Sequence, residues 1–163
     1  MLTYPMPSAQ PAAAPAAQLA GFLAKYTPEI AATANLALKK LRKLCPGAIE
    51  LVYDNYNALA IGFGPSERAS EAILSIAVYP RWVSLFFLQA RCGLPDPAQR
   101  LQGKGCVVRH IVLENAATLD EPEVRALIAH ALAAAAVPLD PGGKRRLVIK
   151  SVSAKQRPRR LAK

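Results

Sequence analysis

At 163 residues, 52% of them hydrophobic, the chain is long enough to bury a core of its own and reads as one domain. Its net charge of +10 is unevenly placed: nine of the 21 Lys/Arg and none of the 11 Asp/Glu lie in residues 144–163, so the rest is nearly neutral. Three widely spaced cysteines (Cys45, Cys92, Cys106), with no CxxC and only two histidines in the chain, disfavour a disulfide framework and a structural zinc site; they read as small buried hydrophobes in a reducing compartment.

Residues 1–15 are uncharged and rich in proline and alanine, without the basic start and continuous apolar core of a secretory signal, so a flexible lead-in is expected there. Gln18 to Tyr26 forms a short helix with Leu19, Phe22 and Leu23 on one side. Thr27-Pro28 restarts the chain as a helix, with threonine as N-cap and proline where its missing N–H costs nothing. Ile30, Ala34, Leu38, Leu41 and Cys45 recur at helical spacing through Leu44, and Cys45-Pro46-Gly47 ends the run.

The organising stretch is Glu50 to Leu88, four strands with short turns between them. Leu51–Tyr53 is bounded by Asp54, Asn55 and Asn57, residues that build turns. Ala58–Phe63 ends at Gly64-Pro65, and the third run centres on Leu74, Ile76 and Val78. Pro80-Arg81 breaks the ladder before Trp82 to Leu88, a run apolar enough to be buried on both faces. Gln89 to Gly105 is a long loop. Cys106 to Leu113 returns as a strand, with Arg109 and Ile111 facing one way and His110 and Val112 the other. Asp120-Glu121-Pro122-Glu123 opens a helix with Asp120 as acidic N-cap, ending before Pro138. Pro141-Gly142-Gly143 leads into an edge strand within 145–150, which adds to its own sheet or to a neighbour's, and from Ser153 the tail is expected to be disordered.

This order predicts an α+β two-layer sandwich, an antiparallel sheet of about five or six strands with helices on one face, occupying residues 16–143. Pro80-Arg81 splits the most apolar region before it reaches ~18 residues, so no membrane span is expected, and cytoplasm is the default. The oligomeric state is open.

No GxSxG, HExxH or Walker loop occurs, Gly62-Phe63-Gly64 stops short of GxGxxG, and Gly103-Lys104-Gly105 reads as a turn, so a non-enzymatic binding domain is expected. One polar set stands out: Tyr53, Asn55, Tyr56, Asn57, Tyr79, Arg81, Trp82, Arg109 and His110. If the meander gathers them, they make an aromatic pocket with Arg109 as anchor for an anionic or planar ligand; if not, they cap sheet edges and build turns. The tail residues Lys144, Arg145, Arg146, Lys150, Lys155, Arg157, Arg159, Arg160 and Lys163 would attract nucleic acid or another polyanion by counterion release, without reading bases. The other reading of the tail is a solubilising terminus with no dedicated partner.

The ordered set PGAIELVYDNYNALAIGF, ILSIAVYPRWVSLFFL, GKGCVVRHI and DEPEVRALI resembles the YdhG-like domain, a family of unknown function, over about residues 18–136. That family is similar in fold to frataxins, small α+β sandwiches that bind iron weakly and assist iron–sulfur cluster assembly. The resemblance implies iron as cargo, held by acids on the first long helix and the adjacent strand; Glu29, Glu50 and Asp54 occupy those places. No other cofactor is expected.

Overall fold

The computed structural model describes residues 13–161. Helices α1 (Pro15–Leu23) and α2 (Pro28–Leu44) precede the meander β1 (Ile49–Asp54), β2 (Leu59–Gly64), β3 (Leu74–Val78) and β4 (Val83–Phe87). After the loop come β5 (Arg109–Leu113), α3 (Pro122–Ala134) and β6 (Leu147–Val152). The fold is α+β, with a six-stranded sheet ordered β5-β4-β3-β2-β1-β6. Five strands are antiparallel as expected. The sheet as a whole is mixed, because β6 lies parallel to β1.

Helix α2 has the bounds its punctuation predicts: Thr27 Oγ1 accepts from the Ile30 N–H, and Pro28 takes the first helical position. Gly47, just past its end, has φ of 76°, and a Cβ there would lie 1.9 Å from the Asp140 carbonyl oxygen, so only glycine fits. Helix α1 starts at Pro15, three residues earlier than predicted, inside the expected lead-in; residues 1–12 lie outside the described residues. Asp120 does not cap α3. It closes a 3-10 turn and pairs with Lys40 and Arg125, and Glu121, at the N-cap, makes no side-chain capping bond because its carboxylate pairs with Arg100.

Strand alternation sorts the sheet into two faces. Val52, Leu59, Ile61, Phe63, Ile76 and Leu85 join Leu38 and Leu41 of α2 and Leu127 and Ile128 of α3 in one core. Tyr26 closes that core from beside α1. Its hydroxyl donates to the Val78 carbonyl, and burial, offset in part by the nearby Arg159 charge, pushes its pKa up to about 12. The opposite face carries small residues, Ala60, Gly62, Ser75, Ala77 and Ser84, with Tyr53, Phe86, His110 and Val112 around them. No helix among the described residues is long and apolar enough to cross a membrane.

Two expectations need correction. Cys92 and Cys106 form a disulfide, with Cα atoms 4.5 Å apart, and both are exposed; only Cys45 is a buried free thiol. The reason is the β4–β5 ladder, which continues past the strand ends: Ala90 N–H donates to the Val107 carbonyl and Cys92 N–H to that of Cys106. Cysteine usage therefore gives no argument for a reducing compartment.

The basic segment is not a separate disordered tail either. Residues 144–161 are part of the domain: β6 extends the sheet, and the stretch after it folds back over the end of β1. There Ser153 N–H donates to the Asp54 carbonyl and Arg157 N–H to that of Tyr56. The physical cause lies in β1. Glu50 and Asp54 share a side with Val52, so the strand turns two carboxylates toward the core, where each needs cationic partners.

Candidate functional site

Asp54 is fully buried at the end of β1. It receives Lys25 Nζ at 2.5 Å and Arg159 Nη2 at 2.9 Å, and Arg159 is itself only 4% exposed. Burial pushes the Asp54 carboxyl up, but hydrogen bonds from Lys25, Gln156 and Arg159, with the Lys25 charge, outweigh it and hold the group below its ordinary range. Arg159 also donates to the carbonyls of Asn55 and Tyr56, and Arg160 donates to those of Ala24 and Lys25 at the end of α1. At the other end of β1, Glu50 holds Arg42 at 2.9 Å and Arg145 at 3.2 Å.

These contacts correct the picture of a cationic arm held away from a neutral body. Arg145, Arg146 and Arg159 pair with Glu50, Glu67 and Asp54, and Lys150 donates to the Glu67 carbonyl. Lys144 and Lys155 are exposed, and Lys163 lies outside the described residues. The same contacts bear on iron. Glu50 and Asp54 stand at opposite ends of β1 with their oxygens engaged by cations, and Glu29 is exposed at the start of α2. This set does not fit an iron site, which needs convergent oxygen donors.

What the folded-back arm builds is a cleft. The β1–β2 turn contributes Asn57, and the β3–β4 turn contributes Tyr79, Pro80, Arg81 and Trp82. The arm closes the third side with Arg157, Pro158 and Leu161, enclosing about 700 Å³. Tyr79 and Trp82 stack with ring centroids 4.7 Å apart, which the Tyr79 N–H to Trp82 carbonyl bond of the turn enforces. The Arg157 guanidinium lies over the Tyr56 ring, 5.6 Å from its centroid. Among the described residues, neither Arg81 nor Arg157 has a side-chain hydrogen bond or a salt bridge, and no carboxylate lines the cleft.

A second depression of about 410 Å³ adjoins it on the sheet's open face and shares Asn57 and Tyr79. Its floor is Ala60, Ser75 and Ala77, and its walls include Tyr56, Phe86 and Leu88.

The structure thus brings Asn57, Tyr79, Arg81 and Trp82 of the predicted set into one cleft and places Asn55 and Tyr56 beside it. Tyr53 lies on the open face, its hydroxyl buried without a hydrogen-bond partner. His110 is at the far side of that face, stacked on Phe86 at 5.1 Å. Arg109 is not part of the site. It pairs with Phe87 in the sheet register, at the opposite end from Trp82, and its guanidinium donates to the Leu101 and Gln102 carbonyls, holding the long loop. Arg157, Pro158 and Leu161 also line the cleft; in the sequence Arg157 is one of the tail cations, and Pro158 and Leu161 carry no local signal for a pocket.

No family model, curated protein or solved structure matches this chain.

Proposed function

We propose that the protein is a non-enzymatic binding domain for a small organic anion, held in the cleft between the β3–β4 turn and the C-terminal arm. One observation carries the reading: among the described residues, Arg81 and Arg157 are the cleft's only charged side chains and have no carboxylate partner, while the neighbouring Arg159 is paired with Asp54. An anionic group would take their hydrogen bonds, and the Tyr79–Trp82 stack offers an apolar wall for the rest of the ligand. The order of helix, meander, loop, strand and helix supports kinship with YdhG-like domains; the site's chemistry favours an organic anion over iron as cargo.

Trp82 is the chain's single tryptophan and lines the cleft, so its emission reports occupancy directly. Titration with 2-naphthoate should shift that emission saturably, and the neutral 2-naphthamide should not. Replacing Arg157 with alanine should weaken naphthoate about tenfold or more, the worth of one charge-assisted bond. Equal response to the acid and the amide, or an Arg157→Ala protein that binds as well as the parent, would overturn the reading.

A further inference from the structure

The cleft does not end at the turns. Asn57 and Tyr79 line both it and the depression on the open face, so the two cavities adjoin along the sheet. Their characters differ. Among the described residues, the cleft holds the two unpaired guanidinium groups, whereas the depression has no charged residue and is floored by Ala60, Ser75 and Ala77.

The small floor residues make the depression, because the larger side chains of the same face stand around them. Ala60 pairs with Ala77 across β2 and β3, and Ser75 pairs with Phe86 across β3 and β4, which sets Phe86 as a wall beside a low floor. Toward the other end of β2, the chain entering β3 lies close over the face, with the Ala72 Cβ 3.6 Å from where a Gly62 Cβ would sit. The open part of the face is therefore the part next to the arginines.

We infer that the ligand is a free single-chain amphiphile: its anionic head sits between Arg81 and Arg157, and its apolar chain lies over Ala60, Ala77 and Ser75. This rests on the organic-anion reading and goes further by assigning the second cavity and the ligand's shape. From Tyr79 to Ser75 the path runs about 13 Å at ~3.3 Å per residue, a length that an acyl chain of about ten carbons covers. Charge complementarity selects the direction. Among the described residues, both cavities lack carboxylates, and the cations stand at one end only.

The test is a chain-length series of monomeric alkanoates, butanoate to decanoate, read by Trp82 emission. Apolar burial against one open face should tighten binding about twofold per added methylene, roughly half the factor for complete burial. Ala60→Phe, which fills the floor, should abolish the length dependence, so that decanoate binds no tighter than butanoate. Leu88→Glu, at the far end of the path, should weaken decanoate and spare butanoate, and it serves equally if Ala60→Phe does not fold. Alkanoates of all lengths binding equally, with affinity still dependent on Arg157, would overturn this inference and leave the organic-anion reading intact. So would an emission shift given by anionic lipid vesicles and not by monomeric decanoate. If neither alkanoates nor naphthoate change the emission, both proposals fall.

Discussion

Removing the Arg159 side chain tests how the arm is held. Arg159 and Asp54 are 4% and 0% exposed, and the guanidinium also serves two carbonyls of the β1–β2 turn and lies 5.7 Å from the Tyr26 ring centroid. Breaking a buried pair from one side costs about 3–5 kcal/mol, because a desolvated charge is left behind. Lys25, partly exposed to solvent, stays on the other carboxylate oxygen and keeps Asp54 partly compensated, which places Arg159→Ala near the lower end, about 3 kcal/mol. At ~2–4 °C per kcal/mol for a chain of this size, the melting temperature should fall by about 6–12 °C. Arg159→Met keeps much of the stem's packing and separates that part from the charge. Acid supplies the sign. The Asp54 carboxyl is held below its ordinary range, so its contribution is complete above the unfolded carboxylate pKa of ~4 and is lost as pH falls toward the lower folded value. The gap between parent and Arg159→Met, followed by circular dichroism melts, should therefore narrow below about pH 4. A variant melting within about 1 °C of the parent at neutral pH would refute the reasoning, since the arm would then not depend on this contact.

Two further outcomes follow from the same geometry. A chain ending at Gly143 loses β6 and the Arg145 and Arg159 partners of Glu50 and Asp54, so it should lose cooperative unfolding; a sharp calorimetric transition near the parent's would contradict this. Alkylation of the unfolded, unreduced protein should modify Cys45 alone, and all three cysteines after reduction, with Cys92→Ser/Cys106→Ser costing about 3 kcal/mol in chemical unfolding; three reactive thiols without reductant would rule the bridge out.

Local signals in the sequence are legible where the chain punctuates itself. Thr27-Pro28 and Pro46-Gly47 bracket α2, and the turns at Asn55–Asn57 and Pro80-Arg81 separate the meander strands. The alternation that put Arg109 beside Ile111 and His110 on the other side already told against those two residues sharing a pocket. The same parity holds in β1, where Glu50 and Asp54 flank Val52 on its core side. Two carboxylates on a buried strand face ask for cations, but nothing local says which. Asp54 finds one 105 residues away, and such a pairing leaves no periodic trace. The disulfide escaped for a related reason: a 14-residue separation conceals two positions that the extended β4–β5 ladder sets opposite each other. The cap at Asp120 was lost to competition, since Lys40 and Arg125 engage its carboxylate.

The placement of β6 has a further consequence for how the molecule behaves in a crowd of its own copies. Beneath it, β1 is a strand of Ile49, Leu51 and Val52 whose outward amides and carbonyls would template pairing with any extended chain. Covering that edge moves the sheet's border to a strand carrying Lys150, which is skipped in the register where it shifts between Val52 and Tyr53. A charged, irregular border is a poor seed for intermolecular sheets, so segment 147–152 protects the protein against self-aggregation as well as completing its fold.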